Sequence, residues 1–156
     1  MIKIKIPGHG ILELEHLVMD YNGTLALDGN LFKGLEEILN RLSDNIDLHV
    51  ITADTFGEVV ENLKNVISNL CIIGKDNQGN QKQEYVKKLD ATKVCAIGNG
   101  ANDAMMLKTA ALGIALIQTE GASVNTLISA DIVSTSIFDA LGLLINPKRL
   151  VASLRE

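Results

Sequence analysis

Short apolar runs, each closed by a polar loop, recur along the whole of this chain. Ile2-Lys3-Ile4-Lys5-Ile6 alternates with period two, and Ile11-Leu12-Glu13-Leu14 resumes the alternation beyond the turn Pro7-Gly8-His9-Gly10. That pattern predicts a β-hairpin over 2–14. A buried strand over Leu17–Met19 follows, and residues 25–30 form a short excursion closed by a turn. Phe32, Leu35, Ile38, Leu39 and Leu42 have helical spacing. Leu48–Ile51 is a strand ending in Thr52-Ala53-Asp54, with a helix across 55–68 and a third strand over 70–73. Residues 75–80 read as a polar loop and 81–89 as a short helix. Strands at 94–97, 113–117 and 131–133 then alternate with helices at 103–111, 121–130 and 136–145. Pro147 suits the first turn of a terminal helix. This alternation implies one α/β domain over 1–156, a parallel sheet with helices on both faces.

Composition narrows the picture. Hydrophobic residues make up 47% of the 156 positions and aromatics only 3%, so the core is built from Leu, Ile, Val and Ala, as in helix-covered parallel sheets. The formal net charge of −5 offers no basic excess to offset phosphates, which argues against a nucleic-acid partner. No apolar run approaches the ~20 residues that span a bilayer. The N-terminus alternates where a secretion signal would be continuously apolar. Cys71 and Cys95 sit in strand-like runs, as reduced buried thiols do. Together these features predict a cytoplasmic protein with no membrane partner. The edge of the 2–14 hairpin reads equally as a subunit contact building a homo-oligomer or as a cover for one end of the sheet.

Two loops carry the candidate chemistry. Leu17-Val18-Met19-Asp20 is an apolar run delivering a carboxylate to Tyr21-Asn22-Gly23-Thr24, and Val94-Cys95-Ala96-Ile97 leads into Gly98-Asn99-Gly100-Ala101-Asn102-Asp103. Ligands of open α/β sheets bind outside the carboxyl ends of the strands, and two such loops converge only if their strands are neighbours. Each residue also has a plain structural reading. Asp20 before Asn-Gly suits a turn. Thr52 or Asp54 suits a helix N-cap, and Asn102 and Asp103 suit caps for the helix that follows. Lys82 competes with Lys75 for a role near the site. Met105 and Met106 read as core fillers, and His9, His16 and His49 as too scattered for a metal site.

Asp20-Tyr21-Asn22-Gly23-Thr24 resembles the Asp-x-Asp-Gly-Thr nucleophile loop of the haloacid dehalogenase superfamily, and Gly98–Asp103 resembles its Gly-Asp-Gly-x-Asn-Asp loop. Thr52 and Lys82 stand in order where that superfamily places a phosphate-binding hydroxyl and a lysine. The second loop with Met105-Met106-Leu107 also resembles the hinge of the P-type ATPase phosphorylation domain. The resemblance covers essentially the whole chain. It implies a Rossmann-like three-layer sandwich and a Mg²⁺-dependent phosphohydrolase acting on a phosphorylated substrate through an aspartyl-phosphate on Asp20. Asp20, Asn22, Thr52 and Lys82 would be catalytic. Gly23, Thr24, Thr52, Ala53, Lys82 and Asn102 would bind phosphate, Gly23 by leaving room for the substrate. Asp20, the Asn22 carbonyl, Asn99 and Asp103 would hold the metal, hard oxygen ligands suited to Mg²⁺.

Two positions depart from that pattern. Asn22 stands where the superfamily's phosphatases have an acid, and an amide cannot exchange a proton. General acid–base help is worth about 10²–10⁴-fold, so Asn22 predicts slow turnover or a persistent phospho-enzyme, as the P-type resemblance also implies. Asn99 stands where the usual loop has its first aspartate, which predicts weaker Mg²⁺ binding with more of the metal site carried by Asp103. The intervals 24–52 and 52–82 each hold one helix, with no room for a cap domain. Such an open site suits a large substrate, or a lid supplied by a partner or a second subunit. A regulatory module that binds phosphate or phosphoproteins without turnover is the rival reading. A receiver-like phosphoacceptor fits less well, because Ile2–Ile6 lacks the acid pair such domains carry.

Overall fold

The computed structural model describes residues 1–53 and 58–156. Strand β1 (Ile2–Ile6) and strand β2 (Gly10–Leu14) pair antiparallel, Ile2 opposite Leu14. Strand β3 (His16–Asp20) leads to a two-residue pair, β4 (Ala26–Leu27) and β5 (Asn30–Leu31). Asp28 and Gly29 both have positive φ between them, the combination of a type I′ hairpin turn. Then come α1 (Leu35–Ser43), β6 (Asp47–Thr52), α2 (Glu58–Asn62), β7 (Asn69–Ile72) and α3 (Gln78–Lys88). The rest is β8 (Val94–Gly98), α4 (Ala104–Thr109), β9 (Leu112–Leu116), α5 (Val124–Ser129), β10 (Ile132–Ser134), α6 (Ile137–Ile145) and α7 (Pro147–Leu154).

Among the described residues, six parallel strands form the main sheet in the order β10-β9-β8-β3-β6-β7. From β3 the chain winds outward through β6 to β7, then crosses back to β8 and winds the other way. Neighbouring strands β3 and β8 therefore mark the switch point, where a crevice opens at the carboxyl ends. Alternation along each strand fills both faces. Leu17, Met19, Cys95 and Ile97 face Leu39 of α1, Leu141 of α6 and the hairpin residues Ile4, Ile6 and Leu14. Val18, Ala96 and Ile51 face Val86 of α3 and Met106 and Leu107 of α4. Both cysteines are unbridged; Cys95 is buried and Cys71 partly so. No helix among the described residues is long and apolar enough to cross a membrane.

The excursion expected over 25–30 is the strand pair β4–β5 closed by its turn, and the remaining elements differ from expectation mainly at their ends. Helix α3 starts at Gln78, inside the predicted polar loop; Asn77 in the left-handed region turns the chain into it. The helix predicted over 55–68 is observed only as α2; residues 54–57, with the candidate cap Asp54, lie outside the described residues. The helix predicted from 121 starts at 124, because Gln118–Gly121 is a tight turn: the Gly121 N–H donates to the Gln118 carbonyl at 2.8 Å. His16 and His49 are not scattered. Parallel pairing of β3 and β6 brings His16 Nδ1 within 3.1 Å of His49 Nε2, and His49 Nδ1 lies 2.9 Å from the Tyr85 hydroxyl. Burial and the neighbouring His16 hold His49 below the usual histidine range.

Candidate active site

Strand β3 ends at Asp20 and β8 ends at Gly98, side by side. Lys82, near the start of α3, is buried between their loops. Its Nζ donates to Asp20 Oδ1 at 2.5 Å and to Asp103 Oδ1 at 2.6 Å. Asp103 is held in turn: Oδ2 accepts the backbone N–H of Asn99 at 3.0 Å and of Gly100 at 2.9 Å. Gly98 is required there, since a Cβ would stand 2.5 Å from Asp103 Cγ. One ammonium between two carboxylates leaves a net negative charge out of water. Burial, then the Asp103 charge, push Asp20 up to about 7 against the pull of Lys82 and a backbone N–H from Tyr21. Burial works against the Lys82 charge too, but the two carboxylates outweigh it and hold that lysine above its ordinary value.

A cleft of about 470 Å³ opens over Asp20, lined by Asn22, Thr52, Ala53, Gln78, Asn99, Gly100, Asn102 and Glu120. Thr52 arrives from β6, the other neighbour of β3. Asn102 is oriented by Gln78, whose Oε1 accepts from Nδ2 at 2.7 Å. Of the residues selected from sequence, Asp20, Asn22, Thr52, Ala53, Asn99 and Asn102 meet at this cleft. Lys82 and Asp103 stand behind Asp20 as a buried bracket, and Lys75 is exposed.

The surroundings of Gly23 and Thr24 differ from those expected. Gly23 does not leave room for a substrate: its φ is +77°, and a Cβ there would lie 2.3 Å from Asn99 Nδ2 and 2.6 Å from Glu120 Oε2. It is glycine so that three loops can touch. Thr24 is fully buried, and its hydroxyl donates to Asn99 Oδ1 at 3.3 Å, so its side chain braces the second loop away from the cleft. Gln78 and Glu120 were missed. Asn77, a favoured turn and cap residue, could have signalled an earlier helix start and with it Gln78. Glu120 sits on a turn that no local pattern ties to the site.

Among the described residues no group of three or more His, Cys, Asp or Glu side chains is placed to hold a metal. The residues with oxygen donors beside Asp20 at the cleft are mixed: its own carboxylate, and the neutral side chains and backbone of Asn22 and Asn99. All are hard, and few come from the protein, which fits a Mg²⁺ ion that keeps several waters. The uncompensated charge beside Lys82 fits a cation as well.

No family model matches this chain. The uncharacterized protein MJ0073 of Methanocaldococcus jannaschii is 49% identical over 74 residues, 47% of this chain and 80% of that protein. Solved structures align over nearly the whole length. The 3-deoxy-D-manno-octulosonate 8-phosphate phosphatase of Moraxella catarrhalis, in complex with magnesium, phosphate and KDO, gives a TM-score of 0.71 at 18% identity, covering 91% of this chain and 94% of that one. This chain belongs to one family with MJ0073 and has the haloacid dehalogenase fold. The cobalt-bound deoxy-D-mannose-octulosonate 8-phosphate phosphatase YrbI of Haemophilus influenzae shares that fold at a TM-score of 0.72 and 12% identity, covering 92% and 94%. The yeast phospholipid-transporting ATPase NEO1 is 27% identical over 119 residues, 76% of this chain but only 9% of the transporter. A haloacid dehalogenase-fold domain thus accounts for the parallel sheet and for the loops gathered at its carboxyl edge.

Proposed function

We propose that this protein is a Mg²⁺-dependent phosphohydrolase that works through an aspartyl-phosphate on Asp20. The observation that carries the reading is the buried Asp20–Lys82–Asp103 triad at the floor of an open polar cleft. A carboxylate so placed attacks phosphorus in line and splits one displacement into two. Lys82 fixes Asp20 Oδ1 and offsets charge on nucleophile and phosphoryl group; Asp103 positions Lys82. Thr52 and Asn102 are the side chains assigned to the phosphoryl oxygens, with the backbone at Ala53 beside them, in line with catalysis by position and electrostatics. Asp20, the Asn22 carbonyl and the Asn99 amide would hold Mg²⁺, which when bound supplies further charge neutralisation. Asp103, expected among the metal ligands, is fully buried behind Lys82 and does not line the cleft, so it serves that site through Lys82.

Asn22 lines the cleft but cannot exchange a proton, so turnover is slow by about 10²–10⁴-fold relative to an acid there. The test is Mg²⁺-dependent hydrolysis of p-nitrophenyl phosphate by wild type, Asn22→Asp and Asp20→Asn. Slow wild-type activity, raised by Asn22→Asp and abolished by Asp20→Asn, supports the reading. Three silent proteins that still bind phosphate would instead favour a regulatory phosphate- or phosphoprotein-binding module. A homo-oligomer built through the β1–β2 hairpin belongs to the same reading of an open site. The hairpin's inner residues Ile4, Ile6, Leu12 and Leu14 are buried in the core, while Lys3, Lys5 and Ile11 face outward. A monomeric mass in light scattering at micromolar concentration rejects that assembly.

A further inference from the structure

We infer that Glu120 supplies the magnesium site with the negative charge that Asn99 lacks; this rests on the reading of the cleft as a Mg²⁺ site. Glu120 belongs to neither motif loop, yet it lines the cleft with Asp20, Asn22 and Asn99. Its Oε2 and both polar atoms of the Asn99 side chain crowd the same point beside Gly23, at 2.6, 2.3 and 2.8 Å from where a Cβ would be.

The turn that carries Glu120 is built to hold it there. Gln118 Nε2 donates to the Gly23 and Thr24 carbonyls, each at 3.0 Å, and Gln118 Oε1 accepts the Ile137 N–H at 2.7 Å. On the other side, Asn99 Nδ2 donates to the Gly121 carbonyl at 3.1 Å, and the Asn99 carbonyl accepts the Ser123 N–H at 2.9 Å. Gly121, at φ +76°, closes the turn. The nucleophile loop and the second loop therefore grip residues 118–123 from both sides and present the Glu120 carboxylate to the cleft.

Asn99 and Glu120 are thus coupled by chemistry. An aspartate at 99 would set a carboxylate oxygen against the Gly121 carbonyl and release the turn. An asparagine gives up the charge at 99 but donates the hydrogen bond that holds in place the turn carrying the Glu120 carboxylate. The charge lost from the second loop returns from the next one.

The experiment is calorimetric titration of the full chain with MgCl₂, without substrate, on wild type, Glu120→Gln, Glu37→Gln and Asp20→Asn. Glu37 is an exposed acid on α1 outside the cleft and controls for net charge. Glu120→Gln should weaken Mg²⁺ affinity about 10–100-fold, as loss of a supporting group around a metal does. Glu37→Gln should leave it unchanged, and metal-free melting curves of both should match wild type. Unchanged affinity in Glu120→Gln overturns the inference, even if turnover falls. An equal loss in Glu37→Gln also overturns it, by reducing the effect to overall charge. If wild type binds no Mg²⁺, or Asp20→Asn binds it as tightly, the site reading itself fails and takes the inference with it. Binding that depends on Asp20 but not on Glu120 rejects this inference alone.

Discussion

Replacing Lys82 by methionine keeps the length of the side chain and removes one positive charge from between two buried carboxylates. The ammonium contacts Asp20 at 2.5 Å and Asp103 at 2.6 Å, with Lys82 1% exposed and Asp103 fully buried. Removing one partner of a buried ion pair costs about 3–5 kcal/mol, because the remaining charge is left without compensation. For a domain of this size that is a fall in Tm of roughly 6–20 °C, at about 2–4 °C per kcal/mol. The loss depends on pH, and its sign follows from Asp20. Its folded-state value is raised from 3.8 to about 7, so the folded state holds a proton that the unfolded chain has released. The contribution of Asp20 to stability then falls as pH rises from about 4 to about 7 in the wild type, and without Lys82 that fall is larger and extends to higher pH. Thermal melts by circular dichroism at about pH 5 and about pH 8 should therefore give a smaller Lys82→Met deficit at the lower pH. Adding Asp103→Asn to Lys82→Met should cost less than the two single changes together, a coupling of about 0.5–3 kcal/mol. A deficit below about 1 kcal/mol at the higher pH, or one equal at both, would refute the buried-triad reasoning.

Other expectations follow from the same geometry. Mg²⁺ should raise the wild-type Tm more at about pH 8 than at about pH 5, because Asp20 must lose its proton to meet the ion; an equal rise would show that the metal does not meet Asp20. Gly23→Ala should lower stability by about 1–3 kcal/mol, since it combines a positive φ with a Cβ pressed against Asn99 and Glu120; a neutral result in urea unfolding would contradict the loop contact. Asn102→Ala should impair hydrolysis of p-nitrophenyl phosphate while leaving stability within about 1 kcal/mol of wild type, as for a partly buried residue whose side-chain partner is Gln78. His49→Phe should remove both the His16 and the Tyr85 hydrogen bonds and destabilise by about 1–3 kcal/mol with no effect on Mg²⁺ affinity; a change in metal binding would tie that far network to the site.

Local pattern was enough for the hairpin, for the strands of the main sheet and for the two loops at their ends, but not for the two-residue pair β4–β5. An apolar run closing on Asp20, or on Gly98-Asn99-Gly100, is written in adjacent residues, and period-two alternation decides which side chains face the helices. The helix ends were harder: Asn77 and the turn at Gln118–Gly121 shift α3 and α5 through backbone geometry that apolar spacing does not encode. The site needed the tertiary structure still more. Lys82 reaches Asp20 across 62 positions and Asp103 across 21, and only the return crossover from β7 to β8 brings these groups together. Gly23 was legible as a turn glycine, but that its missing Cβ makes room for Asn99 and Glu120 is a property of three loops meeting. The turn that carries Glu120 is anchored by a glutamine bonded to carbonyls 94 and 95 positions away. Sequence determined which residues could do chemistry, because their types and spacings are local. Tertiary structure alone decided which charges share one buried space, because electrostatic compensation depends on distance in three dimensions.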